Sequence, residues 1–151
     1  MPVFRGHYEH TIDAKGRTSL PARFRHVLPP AGDLRLVIAK SIRDACLDVW
    51  PMAAWEELEA KVARFNRWDR DVVLFRRRYL SAAVEAEIDA HGRVLIPQSM
   101  REFASLEKDV LWAGVGTTME LWARSRWEAS LELPEADLAR WTDAIAEKLD
   151  A

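Results

Sequence analysis

The chain repeats itself. Residues 12–25 read IDAKGRTSLPARFR and residues 88–101 read IDAHGRVLIPQSMR, and seven of the fourteen aligned positions are identical: Ile, Asp, Ala, Gly, Arg, Pro and the closing Arg. Leu20 against Ile96 and Phe24 against Met100 keep apolar character. The correspondence resumes downstream, where Leu47-Asp48-Val49-Trp50 then Trp55 is echoed by Met119-Glu120-Leu121-Trp122 then Trp127. The offset is 76 residues in the first block and 72 in the second, so the loop between blocks is four residues shorter in the second copy. Surface loops tolerate such length changes. Two copies are too few for a solenoid, which needs about three. The repeat therefore points to a pseudo-symmetric pair of halves sharing one core.

Periodicity fills in the elements. Residues 7–12 and 17–20 flank the polar Asp13-Ala14-Lys15-Gly16, a hairpin signature whose turn needs a positive φ at Gly16. In the second copy Val84, Ala86 and Ile88 alternate with Glu85 and Glu87, and Gly92 turns the chain into Val94-Leu95-Ile96. Pro21 and Pro97 suit the starts of short helices over about 21–28 and 97–104. Further strands are expected at about 34–39, 46–50, 110–114 and 119–123, from their Val, Leu, Ile and Trp content. Pro51 opens a helix with Trp55, Leu58, Val62 and Phe65 on one face, and a second helix follows from about Asp69. A final helix after Pro134 carries a stripe of Leu138, Trp141, Ile145 and Leu149, to be packed on the body or on a neighbouring subunit. The expected class is α+β. Its segments are a first half at 1–52, a helical connector at 53–80, a second half at 81–124 and a C-terminal helical segment at 125–151.

No apolar run reaches the length of about 18–20 residues that a membrane span needs. The opening MPVFRGHYEH lacks the apolar stretch of a secretory signal, so a cytoplasmic location is expected. The single cysteine, Cys46, reads as a small core residue. His7, His10 and His26 have no zinc-ligand spacing with one distant Cys, and neither metal nor cofactor is expected. No nucleophile–base pair or phosphate loop is evident, which argues against an enzyme.

Charge carries the functional signal. The net charge of −2 hides a split: residues 1–80 hold fifteen Lys/Arg and ten Asp/Glu, whereas residues 81–151 hold seven and fourteen. In each turn the Asp can bond backbone N–H groups two residues on, and can pair with the Arg that follows Gly, or across the two copies. Asp13, Gly16, Asp89 and Gly92 read as turn scaffold. Arg5, Lys15, Arg17, Arg23 and Arg25 surround the first turn in sequence, while the matching positions of the second copy are Ser81, His91, Arg93, Ser99 and Arg101. Nothing in packing requires one twin to be basic and the other thinned out; a polyanionic partner would. Arg76-Arg77-Arg78 close a helix, where cations suit the dipole, and read as a solvated or interface face.

The opening FRG, the D-A-K-G-R turn, the following L-P-A-R-F-R and the second D-x-x-G-R with I-P closely resemble the MraZ family, over essentially the whole chain. The resemblance implies two AbrB-like (SpoVT-AbrB) swapped-hairpin halves in one polypeptide. It also implies a bacterial, cytoplasmic, nucleoid-associated transcriptional regulator. Such a protein would form a homo-oligomeric ring on double-stranded DNA, at repeated short boxes upstream of the division and cell-wall gene cluster. The family's D-x-x-x-R hallmark falls on Asp13/Arg17 and Asp89/Arg93. On this reading Arg17, Lys15 and Arg5 make the principal DNA contacts, Arg23 and Arg25 serve as phosphate contacts or structural partners, and Arg93 has a lesser part. The competing reading is a protein–protein assembly module on the same scaffold, without DNA.

Overall fold

The computed structural model describes residues 2–29 and 34–151. The first copy contributes β1 (His7–Thr11), β2 (Arg17–Ser19), α1 (Ala22–Val27), β3 (Arg35–Lys40) and β4 (Leu47–Pro51). The connector is α2 (Met52–Ala63) and α3 (Arg70–Phe75), the latter continuing as a π-helical turn at Arg76–Leu80. The second copy repeats the plan with β5 (Val84–Glu87), β6 (Arg93–Leu95), α4 (Gln98–Ala104), β7 (Asp109–Gly114), β8 (Met119–Ala123) and α5 (Arg124–Ser130). Helix α6 (Glu135–Asp150) ends the chain. The fold is α+β.

The sheets show how the copies combine. The order is β1-β7-β8-β4-β3-β5 in a six-stranded antiparallel sheet, with β2-β6 as a separate two-stranded ribbon. Each copy thus sends its first strand to the other: β1 pairs with β7 and β5 with β3. The hairpins are exchanged. A pseudo-twofold axis passes through two register pairs that are also repeat equivalents, Thr18 opposite Val94 and Asp48 opposite Glu120. One core lies between the sheet, the ribbon and the short helices; it includes Phe4, Leu20, Phe24, Leu36, Ile96, Met100, Trp112 and Leu121, all at most 1% exposed.

Local chemistry explains the element ends. Pro21, Pro51, Pro97 and Pro134 stand immediately before α1, α2, α4 and α6, where a missing N–H costs nothing and the ring presets φ. Asp69 caps α3 by accepting from the backbone N–H groups of Asp71 (2.9 Å) and Val72 (3.2 Å). The expected stripe on α2 is one residue too long. Trp55 and Val62 are buried, but the helix stops at Ala63 and Phe65 is 49% exposed. The Arg64 and Phe65 amides bond three residues back, to Lys61 and Val62, and this tightening rotates Phe65 off the face.

The π-helical turn is set by the bond from the Ser81 amide to the Arg76 carbonyl (2.9 Å), and it lies where Tyr79 turns inward. The Tyr79 hydroxyl donates to Asp48 Oδ2 at 2.6 Å and accepts from Trp50 Nε1 at 2.9 Å. A second core cluster of Val37, Ala39, Met52, Trp55 and Tyr79 fills the space between the connector and the sheet. The two tryptophan pairs of the repeat are built alike: Trp50–Trp55 at 5.6 Å and 74°, Trp122–Trp127 at 5.8 Å and 68°, both edge-to-face. Among the described residues, no helix is long and apolar enough to cross a membrane.

Two polar side-chain atoms in the core, Thr18 Oγ1 and Trp112 Nε1, have no partner among the described residues. Thr18 is 1% exposed and its Oγ1 makes no hydrogen bond, while its axis mate is the apolar Val94. Burying an unmatched hydroxyl costs about 1–3 kcal/mol on mutational scales. Thr18→Val is therefore expected to stabilise the fold by about 1 kcal/mol, seen as a higher urea midpoint at fixed protomer concentration. A lower midpoint would mean that the hydroxyl has a bonded partner in solution.

Candidate nucleic-acid interface

The two D-x-x-x-R turns have one design. In the first, Asp13 Oδ1 accepts from the amides of Lys15 (3.0 Å) and Arg17 (2.9 Å), and Asp13 Oδ2 accepts from Arg17 Nε at 2.8 Å. In the second, Asp89 Oδ1 accepts from the amides of His91 (2.8 Å) and Arg93 (2.9 Å), and Asp89 Oδ2 accepts from Arg93 Nε at 3.0 Å. The backbone closes each loop with an Asp amide to Arg carbonyl bond of 2.9 Å. Of the pairings open from sequence, each Asp thus holds the Arg of its own copy. Both carboxyls lie below the usual Asp range, chiefly because of the backbone bond from the following Arg. Each clamp therefore keeps its anionic carboxylate well into mild acid.

Gly16 and Gly92 have φ of +90° and +76°, but backbone freedom is only half their role. A Cβ on Gly16 would stand 2.7 Å from the Ile96 carbonyl oxygen and 2.8 Å from Arg101 Nε, and one on Gly92 would collide with the Arg25 guanidinium. The closing Arg of each copy thus lies over the turn of the other. Arg25 Nη1 approaches the Gly92 carbonyl at 3.5 Å, and Arg101, lying over Gly16, donates from Nε to the Ile96 carbonyl at 3.0 Å. This explains why that Arg is identical in both copies. Ala14 and Ala90, also identical, are exposed, and nothing in the structure explains their identity.

The ribbon puts both clamped arginines on one surface. Thr18 and Val94 point into the core, so their neighbours Arg17, Ser19, Arg93 and Leu95 face outward. Arg17 sits opposite Leu95 and Arg93 opposite Ser19, so the arginines are diagonal neighbours, at about 7–8 Å in a sheet. Only Nε of either guanidinium is bonded among the described residues, leaving the Nη groups for a partner. Lys15 is exposed in the first turn and His91 holds its place in the second.

The other cations separate by position. Arg23 is exposed on α1. Arg25 is half-buried over Gly92 and belongs to the scaffold; its charge adds to burial, the larger cause, in lowering the pKa of His10. Arg5 does not join the turn. Its neighbours Phe4 and Gly6 bond to Gly116 and Gly114, at the opposite end of β1. The extended stretch from His7 to Asp13, most of it β1, places it roughly 20 Å away at ~3.3 Å per residue. Proximity in sequence misleads here because an extended strand carries its ends apart. Arg101 is the residue that sequence reasoning passed over, although its identity with Arg25 in the repeat was the available signal.

Comparison with known proteins agrees with the repeat. The MraZ protein family model matches twice, over residues 3–78 and 79–147. A protein of Thermoanaerobacter pseudethanolicus named transcriptional regulator MraZ is 43% identical over 148 residues, covering 98% of this chain and 97% of its own length. Its namesake in Moorella thermoacetica is 42% identical over 97% and 96% of the two chains, and that of Anaeromyxobacter dehalogenans 41% identical over 87% and 93%. With a family model met once by each copy and likeness running almost end to end, the chain belongs to the MraZ family.

Proposed function

We propose that this protein is a sequence-specific DNA-binding transcriptional regulator whose reading surface is the outer face of the β2–β6 ribbon. The observation that carries the reading is the pair of guanidiniums, Arg17 and Arg93, each held at Nε by its own Asp on that exposed face. A two-stranded ribbon fits the major groove, and a guanidinium with free Nη groups can bind the O6 and N7 of guanine. The clamp reduces the side-chain entropy lost on binding. Lys15 supplies a phosphate contact at one end of the ribbon, and Arg23 a further cation on α1. Arg5, at the other end of β1, reaches DNA only if the duplex runs along that strand.

A single subunit offers few contacts and would bind weakly with strong salt dependence. A homo-oligomeric ring facing repeated boxes raises affinity through effective concentration. The proposed setting is the cytoplasm and nucleoid, at boxes upstream of the division and cell-wall gene cluster. A mobility-shift assay on duplex DNA from upstream of the protein's own gene tests this. Arg17→Ala and Arg93→Ala are each expected to weaken binding about tenfold to a hundredfold per box, the loss for one bidentate base contact of about 1–3 kcal/mol. Binding unchanged by either substitution removes the ribbon as the reading surface. An intact oligomer with no affinity for that DNA would favour an assembly module instead.

A further inference from the structure

Helix α6 has an apolar stripe that no described residue buries. Leu138 is 49% exposed, Trp141 50%, Ile145 37% and Leu149 79%, and no residue of the helix is buried among the described residues. A lone helix of this length is marginal in water, so its stripe needs a partner. The helix is also acidic: Glu135, Asp137, Asp143, Glu147 and Asp150 against Arg140 and Lys148, a net charge of −3. At 100° per residue, Glu135 and Asp137 flank the stripe on opposite sides.

A complementary surface lies elsewhere on the same chain. A groove of about 620 Å³ runs between α3 with its π-helical turn, the end of α4 and the loop after β3. Its walls include Ile42, Leu74 and Phe103, which are 63%, 52% and 36% exposed. Lys40, Arg77 and Arg78 stand among them against one acid, Asp71, and Lys40 Nζ lies 5.7 Å from the Phe103 ring centre. The local balance is +2. Stripe and groove match in polarity and oppose in charge, whereas two α6 helices meeting each other would bring like charges together.

We propose that α6 of one copy seats its apolar stripe in the cationic groove of the next copy, joining copies head to tail. Such a contact is heterologous, so it builds a closed ring when the rotation closes. It assigns an interface role to Arg77 and Arg78. The proposal rests on the ring reading above and gives that ring a contact.

Light scattering on a sizing column, with full-length chains, tests it. Leu74→Asp spoils the groove and Leu138→Asp spoils the helix; each is expected to reduce the oligomer to single chains. Mixed in equal amounts, the two variants retain one intact groove and one intact helix between them, and are expected to form a one-to-one heterodimer. That result also shows that both variants are folded. Reversing Arg77→Glu and Arg78→Glu is expected to disperse the oligomer, and adding Glu135→Arg and Asp137→Arg in the same chain to restore it. An oligomer of unchanged size in both single variants, or a mixture that stays monomeric, overturns this interface and leaves the ring standing. A wild-type protein that is monomeric at every concentration overturns the ring as well.

Discussion

Gly92→Ala is expected to destabilise the protein by about 2 kcal/mol, most of it from the strain of a positive φ. Two costs combine. At φ +76° an L-residue is in the left-handed region, worth roughly 1–2 kcal/mol in strain. The new methyl would also occupy the space of the Arg25 guanidinium, which, as the end of a flexible side chain, would swing off the Gly92 turn at a smaller cost. Gly116 separates the two terms: its φ is +108°, but a Cβ there would meet nothing within 4 Å. Gly116→Ala should therefore show the strain without the collision. Urea denaturation at fixed protomer concentration measures both, since assembly makes the midpoint concentration-dependent. The collision also predicts non-additivity, with Arg25→Ala and Gly92→Ala together costing less than their sum. Equal losses at Gly92 and Gly116, with additive behaviour in the double variant, would show that Arg25 does not occupy the turn.

The second large effect sits on the pseudo-twofold axis. Asp48 and Glu120 are repeat equivalents that the β4–β8 register places directly opposite one another. Their surroundings differ. Asp48 accepts from Tyr79, while Glu120 accepts from Trp122 Nε1 at 3.0 Å. Burial raises the Asp48 pKa to about 6, the Tyr79 bond opposes the shift, and the charges of Glu120 and Asp44 add to it. A raised carboxyl pKa means that the folded state holds the proton more tightly than the unfolded chain. Stability from this group is therefore greatest near pH 4 and falls as pH rises through about 6. The change from the ordinary value of 3.8 to about 6 corresponds to about 3 kcal/mol. Asp48→Asn keeps an acceptor for Tyr79 and removes the charge. It is expected to stabilise the protein by up to about 3 kcal/mol at pH 8, with the advantage shrinking toward pH 4. The difference between wild type and variant isolates Asp48 from the other carboxylates; a difference constant between pH 4 and 8 would mean that Asp48 titrates normally.

Much of the local structure was legible in the chain because its causes are local. The turns could be placed from Asp, Gly and Arg, since an Asx bond and a positive φ span only five residues. Proline announced four helix starts for the same reason. Errors came where an end condition decided the outcome: α2 closed two residues before Phe65, and the helix after Asp69 loosened into a π-helical turn around Tyr79. The candidate site was partly legible. Arg17 and Arg93 could be named, but their common surface depends on Thr18 meeting Val94 across 76 residues. Arg5 was misplaced because closeness in sequence says nothing of the direction in which a strand runs.

By itself the sequence determined the two-fold plan, the paired turns, the element order and the residues able to clamp an arginine, since these follow from composition and spacing within a few residues. Only the tertiary structure decided which strands pair. Exchange of β1 and β5 between copies carries Arg25 to one turn and Arg101 to the other, lays two clamped arginines side by side, and sets Asp48 against Glu120. The physical reason is that a strand's hydrogen bonds can be satisfied by any edge of matching register. The choice among edges is made by burying one shared core, a sum over contacts that no local segment contains.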